Sequence, residues 1–130
     1  MTYELHDYEL DAIILDGDQI IFSFPKGFYA EDDHGQPRHP MPTKLVLTID
    51  KGCCTDIPLD SFLEIQKRCR WGWKEISFKQ FTKLFKKGNM LVYDEYDSKL
   101  TNWKIFQINA NTRWSNIELL ITDVEDIACL

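Results

Sequence analysis

The sequence has no G-x-x-x-x-G-K-[ST] phosphate loop, no G-x-G-x-x-G, no G-x-S-x-G and no H-E-x-x-H. Those patterns place backbone donors, a strained serine or a pair of imidazoles where their chemistry requires them. Reactions built on them therefore have no signature here. Cysteine is scarce, with only Cys53, Cys54, Cys69 and Cys129. None forms a C-x-x-C pair, the adjacent Cys53 and Cys54 cannot readily converge on a mutual disulfide, and a secreted framework would carry more. No apolar run is long: Ala12–Leu15 has four residues, against the roughly 20 that a membrane-spanning helix needs. The segment Met1-Thr2-Tyr3-Glu4-Leu5-His6-Asp7 has neither a basic nor an apolar stretch, so a secretory signal is not expected and a reducing cytoplasm is the expected location. With 6 Gly and 5 Pro there is no collagen-like or low-complexity character.

What the chain does have is aromatic residues and an uneven charge. Phe, Tyr and Trp make up 13% of its 130 residues, more than a disordered chain carries. The length predicts a single domain over 1–130, large enough to bury a core without staples. The net charge is −6, but residues 1–33 hold nine acids and one base, whereas 64–87 hold eight bases and two acids. The economical expectation is that this basic block pairs with the acidic ends of the same chain. An acidic protein repels polyphosphate at long range.

Periodicity predicts an α+β fold, a mainly antiparallel meander or sandwich of about seven strands with one helix. Tyr8–Leu15 and Gln19–Phe24 flank Asp16-Gly17-Asp18, a strong hairpin signal. Phe28–Ala30 resumes the second strand after Pro25-Lys26-Gly27. Glu31–Pro42 reads as a proline-rich loop. Lys44–Asp50 is a strand with Leu45, Leu47 and Ile49 on one face. Ser61–Arg68 can be helix or strand, and strand is preferred. Cys69–Lys74 reads as an aromatic turn. Phe78, Phe81, Leu84 and Phe85 form one apolar stripe over 77–87, with Ser77 and Gln80 at capping-box spacing and Gly88 as terminator. Met90–Tyr96, Leu100–Asn109, Ile117–Thr122 and a short Asp126–Leu130 complete the strands.

Each candidate for chemistry has a plain structural alternative. His6-Asp7 could be an oriented base, but adjacent strand residues face opposite ways. His34, His39, Cys53 and Cys54 could ligate zinc, yet their spacing matches no finger or ribbon. Asp94, Glu95 and Asp97 gather acids without the offsets of a calcium loop. Neither metal nor any other cofactor is expected. Lys79, Lys83 and Lys87 recur at i, i+4, i+8, with Arg70, Trp71 and Trp73 nearby. They are the candidate anion surface, or simply the solvent face of an amphipathic helix.

Leu5-His6-Asp7 before an alternating strand, Ile21-Phe22-Ser23-Phe24 with Gly27-Phe28-Tyr29, and Tyr93-Asp94-Glu95-Tyr96 after a helix together resemble a group of small bacterial domains. Some of its members are associated with immunity proteins of toxin systems. The resemblance spans nearly the whole chain and carries over no catalytic residue. Small size, acidity, abundant aromatics and the lack of reactive constellations point to a non-enzymatic domain acting by protein–protein contact, and the resemblance implies toxin neutralisation as one form of that contact. The candidate binding residues are Trp71, Trp73, Lys79, Lys83, Asp94 and Glu95, and the acidic, aromatic surface suggests a basic protein partner. A membrane partner is not expected and nucleic acid is disfavoured. Two alternatives stand beside this reading: a small metal-assisted enzyme using His6, Asp7 and the acids near Asp94, and nucleic-acid binding through the Lys79/Lys83/Lys87 face.

Overall fold

A computed structural model describes residues 2–53, 56–98 and 105–130. The expected α+β, antiparallel class is what the structure shows, with more strands than expected and a richer order than a meander. The strands in chain order are β1 (Tyr3–Glu4), β2 (Glu9–Leu10), β3 (Ala12–Asp16), β4 (Gln19–Ser23), β5 (Tyr29–Ala30), β6 (Lys44–Ile49), β7 (Leu63–Cys69), β8 (Gly72–Ile76), β9 (Met90–Asp97), β10 (Phe106–Asn111), β11 (Asn116–Ile121) and β12 (Val124–Cys129), with one helix, α1 (Phe78–Leu84), between β8 and β9. All pairings are antiparallel. Six strands form one sheet in the order β2-β9-β10-β11-β7-β8, four form another in the order β12-β6-β4-β3, and β1 pairs with β5.

Two corners join the sheets. The predicted strand over Tyr8–Leu15 is in fact two, β2 in the larger sheet and β3 in the smaller, with the chain bending at Asp11. Likewise β11 passes into β12 through Thr122 and Asp123, whose φ of +57° makes the turn. Read through both corners, the order β3, β4, β6, β12/β11, β10, β9, β2 returns on itself. The result is a barrel-like sandwich from which the β7–β8 hairpin extends. Each corner lets one continuous segment serve both sheets, while β2, β8, β3 and β12 remain the terminal strands of their sheets.

Alternation explains the core. Ile20 and Phe22 on β4, Leu45, Leu47 and Ile49 on β6, Phe106, Ile108 and Ala110 on β10, and Ile117, Leu119 and Ile121 on β11 are all buried in one cluster. Phe22 meets Phe106 across the two sheets with ring centroids 5.6 Å apart and planes tilted by 56°, the offset arrangement aromatic quadrupoles favour. The β3–β4 hairpin forms at the Asp-Gly signal: Asp16 pairs with Gln19, and Gly17 takes a φ of +62°. α1 begins with the expected capping box, in which Ser77 Oγ accepts from the Gln80 amide and Gln80 Oε1 accepts from the Ser77 amide. It inserts Phe81 into the core.

Several expectations need correction. Tyr29–Ala30 does not extend β4; it pairs with the unforeseen β1. The segment read as an aromatic turn contains β8 from Gly72 onward, because Arg68 and Trp73 can pair across a tight turn. The helix relaxes into a 3₁₀ turn at Phe85–Lys87. Ser61–Arg68 is a strand from Leu63 onward, as preferred, with only Ser61 and Phe62 in a preceding 3₁₀ turn. The expected strand over Leu100–Asn109 is seen from Phe106; its earlier part, with Leu100, Trp103 and Lys104, is largely outside the described residues.

Candidate basic and aromatic contact surface

One end of the larger sheet brings together residues far apart in sequence. The β7–β8 turn carries Arg70 and Trp71, and the β10–β11 turn carries Thr112 to Ser115. Thr112 organises the second turn: its amide donates to the Ser115 carbonyl (2.8 Å) and its hydroxyl accepts from the Trp114 amide (3.2 Å). Ser115 Oγ donates to the Arg68 carbonyl at 3.1 Å, which fixes the two turns side by side. Three indoles stand out of this end. Trp71 is 90% exposed, Trp114 74% and Trp73 44%. Each carries a guanidinium over its ring: Arg70 on Trp71 at 5.2 Å, Arg113 on Trp114 at 5.0 Å and Arg68 on Trp73 at 5.7 Å to the centroid. Such stacking, worth about 0.5–1 kcal/mol at exposed sites, restrains rings that would otherwise swing freely.

Beside the turns lies a cavity of about 120 Å³, lined by Lys67, Leu84, Lys87, Gly88, Asn89 and the residues of the β10–β11 turn. Its lining holds three cations, Lys67, Lys87 and Arg113, and no carboxylate. The expectation that the basic block is neutralised within the chain is not met. Among the described residues no cation of 64–87 is held in an ion pair; Lys26–Glu9 at 3.4 Å and His6–Asp7 at 3.3 Å lie elsewhere. The reason is topological. Acids of the larger sheet lie along a cross-strand row of Asp94, Asn109, Glu118, Gln66 and Glu75, whereas the cations gather at the sheet's end and on α1.

The six residues singled out from the sequence are only partly united. Trp71 and Trp73 belong to this end. Lys79 and Lys83 are exposed on α1. Lys87 departs from their helical row, since it sits in the 3₁₀ turn, and lines the cavity. Asp94 and Glu95 do not act together. A bulge at Tyr93 shifts the β9–β10 register, so that Glu95 and Asp97 pair with the buried Ile108 and Phe106 and share their inward side, while Asp94 is exposed. Glu95 Oε1 accepts from the Leu5 amide at 3.2 Å, and burial raises its pKa despite that bond. Tyr3 donates to Asp97 Oδ2 at 2.9 Å, and its phenol is pushed up by burial and then by that carboxylate.

His6 and Asp7 do converge, contrary to the expectation from strand geometry. They lie in a turn where Asp7 has a φ of +69°, not on a strand. His6 Nδ1 contacts the Tyr93 carbonyl and Nε2 contacts Asp7 Oδ2. Both side chains are exposed, so the pair stands at the surface and not in an enclosed site. In the proline-rich loop, Asp32 Oδ1 accepts from the His34 and Gln36 amides, a turn-making role. Cys53 is exposed and Cys54 lies outside the described residues. Among the described residues no three His, Cys, Asp or Glu side chains gather as a metal site.

Lys67, Arg113 and Trp114 escaped the sequence reading. Their one legible signal is the Arg-Trp dipeptide, which occurs at 70–71 and again at 113–114, each time in a hairpin turn at the same end.

Comparison with family models, curated proteins and solved structures finds no match.

Proposed function

We propose that the protein is a non-enzymatic binding domain that works by protein–protein contact through its basic, tryptophan-bearing end. The observation that carries this reading is the trio of stacked pairs, Arg70–Trp71, Arg68–Trp73 and Arg113–Trp114, presented by two hairpins that a hydrogen bond ties together. Tryptophan and arginine are the residue types that most often anchor protein interfaces. A contact worth about 0.5–1 kcal/mol biases each ring toward its stacked position, which offsets part of the ordering cost of binding. The sign of the expected partner changes accordingly. The sequence's overall acidity suggested a basic partner, but the aromatic end is cationic, so the complementary partner is an acidic protein surface.

A long polyphosphate suits this end less well. The acidic row of Asp94, Glu118 and Glu75 crosses the same sheet, and the net charge of −6 repels a polyanion that extends beyond the tip. The resemblance to immunity proteins makes a toxin one class of partner to seek first. The test is capture on immobilised protein at near-physiological salt, comparing the wild type with a Trp71→Ser/Trp114→Ser variant. Proteins with acidic surfaces should be retained by the former and lost from the latter. An unchanged set of captured proteins, or capture of nucleic acid alone, would overturn the reading.

A further inference from the structure

Lys67 and Lys74 pair directly across β7 and β8, and Lys67 pairs on its other side with the buried Ile117 of β11. Cross-strand partners share a face. Two ammonium groups are therefore set on the core-facing side of the hairpin. Like charges directly opposite one another destabilise a sheet, and no carboxylate among the described residues pairs with either. Lys67 is half-buried while Lys74 is exposed, so solvent screens the Lys74 end of the pair better than the Lys67 end. Lys67 lines the cavity, where Lys87 from the turn after α1 and Arg113 from the β10–β11 turn join it.

We infer that this cavity is an oxyanion subsite that takes one carboxylate or phosphate group carried by a peptide segment of the partner. The inference rests on the binding-domain reading above and gives it a point of specificity. Three features support it together: a concavity with room for one such group, three cationic residues in its lining with no acid beside them, and at Lys67 a like-charged cross-strand neighbour whose repulsion an anion would offset. Arg113 offers a planar fork suited to an oxyanion while its guanidinium lies over Trp114, and Lys67 and Lys87 act as point charges. An anion held here lies beside the indole of Trp114, so a peptide carrying it would run onto the aromatic end.

The test begins with inorganic phosphate titrated into ¹⁵N-labelled protein at constant ionic strength. It continues with two short peptides that differ only in carrying one glutamate or one phosphoserine. Saturable shifts confined to the amides of Lys67, Gly88, Asn89 and Thr112–Ser115 are expected. Lys67→Met should weaken them about tenfold or more, yet leave the rest of the spectrum in place, because it removes a repulsion. Arg113→Gln, in an exposed turn, gives a second variant that does not depend on the hairpin. A preference for either peptide supports the subsite and names its source of oxyanion. No saturable shift, or equal affinity in both variants, overturns it, as does tighter binding of an oligothymidylate at the same amides. If phosphate leaves the spectrum unmoved while the tryptophan variant loses its partner, the subsite falls and the binding domain stands. Phosphate shifts without any tryptophan-dependent partner give the converse.

Discussion

Tyr3 and Asp97 are 94 positions apart in sequence, yet the Tyr3 hydroxyl donates to Asp97 Oδ2 at 2.9 Å. The bond fastens β1 to the inward side of β9, where the bulge at Tyr93 has turned two carboxylates toward the core. Tyr3→Phe keeps the ring and removes the donor, leaving a half-buried carboxylate without this partner. Such a loss costs about 1–3 kcal/mol. A urea titration should show a lower midpoint with an unchanged slope. No change in midpoint would mean that the bond contributes nothing net.

Glu95 gives a pH dependence whose sign can be worked out. Its folded-state pKa is raised, first by burial, so the folded state binds the proton more readily than the unfolded one. Stability then falls as pH rises from the ordinary glutamate range through the raised value. Glu95→Gln keeps an oxygen for the Leu5 amide and removes the charge. It should raise the urea midpoint at neutral pH, with the gain shrinking as pH falls into the ordinary carboxylate range. A gain of the same size at both ends of that window would contradict the assignment.

Phe22 and Phe106 hold the two sheets together at the barrel's centre, both fully buried. Phe22→Ala should cost about 3–5 kcal/mol, transfer and cavity terms together. The thermal midpoint should drop steeply, and Phe106→Ala alongside Phe22→Ala should cost less than the two separately, since they share one contact. Additivity of the pair would show that the rings act independently.

Local signals were legible where local physics decides. The Asp16-Gly17-Asp18 hairpin depends on one glycine's access to positive φ. The Ser77–Gln80 capping box depends on groups three residues apart. The inward stripe of Leu45, Leu47 and Ile49 on β6 depends on a period of two. Counting strands from runs of apolar residues failed at Asp11, because one continuous run can serve two sheets once it bends. The bulge at Tyr93 was equally invisible: a simple alternation through Val92 predicts Glu95 facing out, and a single extra residue reverses every side chain after it.

The amino-acid order alone therefore determined the class of fold, the Asp16-Gly17-Asp18 hairpin, the capped start of the helix and the clustering of eight bases within residues 64–87, because each rests on neighbours along the chain. Only the tertiary structure decided where those bases would go. By closing two sheets through two corners it left the large sheet's acids in a row across its strands and set the Arg-Trp turns side by side at its end. No sequence distance encodes that separation; it follows from which strands pair.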